Sequence, residues 1–190
     1  GRVPAACGAL LRLMTATVTG RPAAEAPVHQ QLAAHWQLGD TGSQRLREAL
    51  VLCADHELNA SSFTARCVAS TGADLGAAVS AGLAALSGGW HGGMTARVEA
   101  LIDELAGVRS IRATLRARLA RDPSMPGFGH PLYPSGDPRG QALLQGLKID
   151  PVIARLINSV RDLTGLAPSL DIGLVALRRA LGLPAGSAFS

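Results

Sequence analysis

Apolar residues recur at three- and four-residue intervals along almost the whole of this 190-residue chain. No stretch alternates apolar with polar residues as a half-buried strand would. That period admits helices and leaves no run from which to build a sheet. Aromatic residues make up only 3% of the sequence, so the core must come from Ala, Leu and Val, and an Ala- and Leu-rich chain favours helices again. The expected class is all-α.

Glycine, proline and capping residues divide the pattern into segments. Helices are expected over Ala5 to Val18, Pro27 to Trp36 (with Leu32 and Trp36 facing inward) and Gln44 to Leu52, with Ser43 as N-cap. A further pattern runs through "CADHELNASSFTARCVASTG" and closes at Gly72. Asp74 to Leu86 follows, with small residues suited to close packing. Thr95 to Leu105 and Ile111 to Leu119 are amphipathic. Residues 122–137 carry four prolines and three glycines and read as a loop. Pro138 to Leu147, Pro151 to Leu163 and Ile172 to Leu181 complete the series. Asp137 and Asp150 each precede a first-turn proline and can cap it.

The net charge of +4 comes almost wholly from arginine, Lys148 being the one lysine. Arg112, Arg116, Arg118 and Arg121 interleave with apolar residues as a solvated helix face does, so nucleic acid is not an expected partner. Forked guanidinium groups equally suit anionic small molecules. Cys7, Cys53 and Cys67 are odd in number and widely spaced, which fits reduced thiols in a cytoplasmic protein, Cys53 and Cys67 as small core residues. No apolar run is long enough for a membrane span, and no secretory signal pattern is seen.

Three of the five histidines stand in unusual settings. His56 lies between Asp55 and Glu57, His91 among four glycines in "LSGGWHGG", and His130 at the end of "PGFGH". His29 and His35 lie on an ordinary helix. "HELNA" lacks the second histidine of a zinc-protease helix, Ala60 standing there, and the three histidines show no short ligand spacing, so no metal is expected. A glycine turn feeding a helix start would keep the His91 imidazole neutral and a hydrogen-bond donor, able to polarise a carbonyl; a polar residue filling a tight corner is the alternative. Arg139, in the first turn after Asp137 and Pro138, offers a guanidinium for a carboxylate or phosphate, or is a surface arginine after a rigid turn.

Together "ADHELNASSFTARCVASTGADL", "LSGGWHGG", "PGFGHPLYPSGDPRG" and "TGLAPSLDIGLVALRRALGLP" resemble the four successive signature regions of the citrate synthase family, in family order. Counted at His56, His91, His130 and Asp171, they are 35, 39 and 41 residues apart. The resemblance implies a multi-helical homodimer with a large and a small domain and an active site in the cleft between them. Residues 1–91 would then belong to the large domain, 92–171 would form the small domain, and 172–190 would lead back toward the large one. The implied reaction condenses acetyl-CoA with oxaloacetate and hydrolyses the thioester. The coenzyme A thioester is a substrate, and no cofactor is permanently bound.

Carried over by motif, Asp171 is the base that deprotonates the acyl methyl group, and His91 stabilises the enol through the thioester oxygen. His130 polarises the oxaloacetate carbonyl, His56 and Arg139 bind the oxaloacetate carboxylates, and Pro126, Gly127, Phe128 and Gly129 line the coenzyme A pocket. By position alone Asp171 reads as the N-cap of the last helix. Pro131, where relatives often carry a basic residue, and Met94, where a small one is common, depart from the pattern. The family pattern begins before Gly1 and continues past Ser190, where further carboxylate-binding arginines are normally found, so the 190 residues alone are expected to be inactive. The neighbouring readings are 2-methylcitrate synthase, which takes propionyl-CoA, and a non-catalytic binding or regulatory relative.

Overall fold

The structure is a computed structural model and describes residues 2–54 and 59–188. The described residues hold helices and no strand, as the period required. The chain divides into two compact units, Gly1–His91 and Gly92–Ser190.

The first unit contains α1 (Arg2–Thr19), α2 (Val28–His35), α3 (Asp40–Ala54), α4 (Ala60–Ser70) and α5 (Leu75–Leu86). Its α4 and α5 pack as a hairpin, and α2 lies on α3. Side-chain caps open the hairpin helices: Asn59 accepts from Ser62 N at 2.8 Å and Asp74 from Ala77 N at 2.8 Å. The apolar residues buried here are few: Ala33, Leu46, Ala49 and Ala78. Leu32 and Trp36, expected to face inward, are only half-buried, and the residue that α2 buries is the small Ala33. Cys53 is half-buried and Cys67 exposed, so neither is a core residue. α4 has no buried residue at all, which is why its cysteine stays in solvent.

The second unit contains α6 (Met94–Ala106), α7 (Ile111–Leu119), α8 (Pro138–Leu144), α9 (Pro151–Thr164) and α10 (Leu170–Ala180). Its core is closed by Val98, Ile102 and Leu105 of α6, Leu115 of α7, Ile153, Leu156 and Val160 of α9, and Ile172 and Val175 of α10. Each of these is essentially inaccessible, at 0% exposure. Burying one such side chain stabilises the fold by about 1.5–3 kcal/mol. Met94 packs against this core as well. α10 packs on α6 and α8, so residues 172–188 belong to this unit.

Several helix ends differ from expectation. α3 starts at Asp40, three residues ahead of Ser43, because Gln37, at φ 54°, turns the chain directly into it. α8 stops at Leu144, before Gly146 at φ 69°. α10 starts at Leu170 and its N-cap is Ser169, so Asp171 lies inside the first turn and is not the cap. No helix among the described residues is long and apolar enough to cross a membrane.

Candidate active site

The loop before α8 and the turn before α10 are tied backbone to backbone. Phe128 and Pro168 form an isolated antiparallel bridge. Gly129 N donates to Ala167 O at 2.9 Å, and Ser169 N donates to Gly127 O at 2.8 Å. Pro126, Gly127, Phe128 and Gly129 are thereby fixed beside the start of the helix that carries Asp171. Only glycine fits position 127. Its φ is +78°, and a Cβ there would lie 2.6 Å from Val98 Cγ2 and 2.8 Å from Ile172 Cγ1. Gly140 meets the same turn from α8, where a Cβ would fall 2.4 Å from Ser169 O. Both glycines let backbone segments approach at the cost of unfolded-state entropy.

Asp171 is half-buried at the head of α10. Ser169 Oγ donates to its Oδ2 at 2.9 Å and accepts from its N–H at 3.3 Å. Burial pushes the Asp171 carboxyl above the ordinary carboxylate range, with the nearby Asp137 charge adding to it; the Ser169 hydroxyl and the Arg139 charge work the other way. A carboxylate with raised proton affinity, partly removed from water, is suited to general-base work.

Asp137 caps α8 with a side chain of 0% exposure. Its two oxygens accept four hydrogen bonds. Arg139 N and Nε reach Oδ1, each at 3.0 Å, while Arg139 Nη2 reaches Oδ2 at 2.8 Å and Leu170 N reaches Oδ2 at 3.1 Å. Burial alone would raise this carboxyl, but the bonds and charge of Arg139, with the Leu170 N–H, hold it below its ordinary value. The Arg139 guanidinium also lies over the Tyr133 ring, 5.4 Å from its centroid. The other neighbour of Tyr133 is His130, with ring centroids 5.0 Å apart. His130 Nδ1 accepts from Leu132 N at 3.2 Å. The neutral ring therefore carries its proton on Nε2, as a donor. His130, Arg139 and Asp171 are thus joined through Tyr133, Asp137 and Leu170.

His91 is the last residue of the first unit and half-buried. Its N–H bonds to Gly88 O at 2.9 Å, closing the glycine turn three residues ahead of α6. His91 Nε2 lies 3.0 Å from Ser61 Oγ, which is also 3.0 Å from Asn59 Oδ1. A serine hydroxyl has one proton to give. Given to Asn59, it makes Nε2 the donor; given to Nε2, it leaves Nδ1–H as the donor of a neutral ring. Trp90 is exposed and Met94 packs, partly buried, against the second unit's core. His56 lies outside the described residues. Among the described residues no cluster of His, Cys, Asp and Glu could hold a metal ion.

Sequence reasoning missed Ser61, Tyr133 and Ser169, and read Asp137 only as a cap. Two signals were present: a serine two residues before Asp171, and an acid two residues before Arg139 across a proline.

The family described as "Citrate synthase, C-terminal domain" matches residues 1–189. Citrate synthase 2 of Bacillus subtilis is 40% identical over 100 residues, covering 53% of this chain and 27% of that protein. A 2-methylcitrate synthase of Mycobacterium tuberculosis is 34% identical over 135 residues, covering 65% of this chain and 34% of its own length. In fold, the chain is similar to the crystal structure of citrate synthase from Thermotoga maritima, with a TM-score of 0.76 and 21% identity, covering 96% of this chain and 55% of that one. The matched region thus spans between about a quarter and about half of these relatives' lengths.

Proposed function

The chain belongs to the citrate synthase family, and on that premise we propose that it supplies the base and carbonyl-polarising groups of an acyl-CoA:2-oxo acid condensing enzyme. Asp171 takes a proton from the carbon next to the thioester carbonyl. His91 donates a ring N–H to the thioester oxygen and stabilises the enol. The enol carbon attacks the keto carbon of oxaloacetate, and His130 Nε2–H polarises the keto oxygen and then gives it the proton of the new hydroxyl. Water then hydrolyses the thioester and releases coenzyme A as the free thiol. Arg139 and His56 bind the oxo acid's carboxylates, and Pro126 to Gly129 line the coenzyme A pocket.

The observation that carries this reading is the backbone bridge between Gly127 and Ser169, beside a carboxylate whose proton affinity burial has raised. A thioester α-proton is weakly acidic, so a base of ordinary pKa in open water is a poor match for it; a drier site with a fixed donor is better suited. Propionyl-CoA as donor is the second reading, supported by the similarity to a 2-methylcitrate synthase. One methylene separates the two donors, and a pocket discriminates that by about 1–3 kcal/mol.

A second copy of the chain is the proposed partner. α5 is apolar on every side, yet only its Ala78 is buried, while Phe63 of α4 is 57% and Leu83 of α5 45% exposed. A helix apolar all round calls for further burial, and a matching hairpin supplies it.

The deciding experiment incubates the whole protein with oxaloacetate and acetyl-CoA or propionyl-CoA and follows free thiol. Release that requires the oxo acid is expected. A folded protein that releases none with either donor refutes the reading.

A further inference from the structure

Two groups with separate jobs in the proposed reaction, Arg139 and Asp171, lie on different helices, and one side chain touches both elements. Asp137 gives three of its four accepted hydrogen bonds to Arg139 and the fourth to Leu170 N, the first residue of α10. Those bonds consume the hydrogen-bonding capacity of a carboxylate from which water is excluded. A buried charge with a poorer set would be costly. The paired guanidinium is planar and bidentate, so its plane is fixed along with its position. Gly140, one residue beyond Arg139, presses α8 onto the carbonyl of Ser169, and Gly173 lies 3.1 Å from Gly140 O measured from its would-be Cβ. Helix α8, the guanidinium and the first turn of α10 therefore share one anchor.

Resting on the roles given above to Arg139 and Asp171, we propose that Asp137 is a positioning residue. It locks the substrate-binding guanidinium to the first turn of the helix that carries the base, so that oxo acid and proton acceptor are held at one spacing. It touches no substrate itself. Its value lies in geometry, because reacting groups displaced by about 1 Å can lose about a hundredfold in rate. A bare cap would need only the bond to Arg139 N; the further bonds to Nε, Nη2 and Leu170 N are those a positioning role requires.

Two variants separate this role from simple capping. Asp137→Asn keeps a good N-cap for α8 but removes the charge and one acceptor. Leu170→Pro removes the N–H that reaches Asp137 and sets the ring Cδ in its place, which pushes the Asp137 carboxylate away from α10. Proline is tolerated at the first helical position, and Ser169 before it is already extended at φ −87°, ψ 178°. In the whole protein, Asp137→Asn is expected to raise the KM for oxaloacetate about 10- to 100-fold and to lower kcat, with the acyl-CoA KM little changed. Leu170→Pro is expected to lower kcat. In the 190-residue chain, carbon-13 NMR of the Asp171 carboxyl should show its titration midpoint falling in Asp137→Asn. The Arg139 Nε–H should lose its protection from exchange in that variant.

A cooperatively melting Asp137→Asn with unchanged oxaloacetate KM overturns the proposal. Should that variant fail to fold, Leu170→Pro decides, and an unchanged kcat overturns it. If the wild type releases no thiol, the reaction assigned above is what fails. The tie itself then stands or falls on the NMR readouts, and an Arg139 Nε–H equally protected in Asp137→Asn and wild type overturns it.

Discussion

Ser169 and Asp171 share one hydroxyl: Ser169 Oγ accepts from the Asp171 N–H at 3.3 Å and donates to Asp171 Oδ2 at 2.9 Å. The same atom caps α10 and stabilises the charged form of the proposed base. Ser169→Ala removes both effects. Losing the cap costs about 1 kcal/mol. Burial then raises Asp171 with less opposition, so its proton is held to a higher pH. A base must be ionised to act, so the acidic limb of the kcat/KM profile for thiol release should move to higher pH. A profile that stays in place while stability drops would limit Ser169 to capping.

The raised proton affinity of Asp171 also fixes the sign of its effect on stability. Its carboxyl binds a proton more tightly folded than unfolded. The favourable contribution is therefore fully present below the ordinary carboxylate pKa and is lost as pH rises through the raised value. At neutral pH the ionised group is a burden on the fold. Asp171→Asn should accordingly melt higher than wild type near pH 7 and lose that advantage on acidification. Activity should fall about 10²- to 10⁴-fold, the range for removing a general base. Parallel thermal melts at neutral and acid pH check it; a variant less stable than wild type at neutral pH contradicts it.

The helices were legible because their period and punctuation are local. Asp137–Pro138 and Asp150–Pro151 marked two starts to the residue, and Ile111 to Leu119 matched at both ends. The first turn of α10 was harder, since both Ser169 and Asp171 can cap and only the bridge to Gly127 selects the serine. Cys67 misled for a physical reason: apolar neighbours suggest burial, but they face outward on a hairpin without a core of its own. The roles of Asp137 and Ser61 rest on bonds to residues 33 and 30 positions away, which no local pattern reports.

Glu99 of α6 takes both arginines at the end of α10. Arg179 reaches Oε2 through Nε at 2.8 Å and Nη2 at 2.6 Å, Arg178 Nη2 reaches Oε2 at 3.2 Å, and Arg179 also pairs with Asp103. Glu99→Ala leaves Arg178 with the Leu183 carbonyl. The expected loss is about 3 kcal/mol, the low end for breaking a buried pair, since these side chains keep some contact with water. Urea unfolding measures it, and the loss should persist in about 1 M salt, where exposed pairs are screened. A loss that vanishes in salt would mean that the cluster behaves as a surface pair.

Phe63 tests the proposed assembly. Placing a carboxylate on an apolar helix face that meets its own copy puts like charges into a desolvated contact, which costs several kcal/mol. The wild-type protein is expected to sediment as a dimer and Phe63→Glu, at the same concentration, as a monomer. Its helical circular dichroism should be unchanged, since Phe63 is exposed within one copy. A variant that keeps the wild-type mass assigns the contact to another face.

Gly127 ties the fold to the proposed coenzyme pocket. Alanine there meets two obstacles at once: a φ of +78°, and side chains of Val98 and Ile172 within 2.8 Å of the new carbon. Backbone strain and overpacking each cost about 1–3 kcal/mol, so Gly127→Ala should lower stability by about 2–4 kcal/mol. The loop can relieve the clash only by lifting away from α6 and α10, which stretches the bonds from Gly129 to Ala167 and from Ser169 to Gly127. The KM for acyl-CoA should therefore rise more than that for oxaloacetate, whose proposed ligand Arg139 remains anchored by Asp137. Thermal melts with steady-state kinetics on both substrates check this. Equal rises in the two KM values would place the disturbance in the whole unit rather than in the loop.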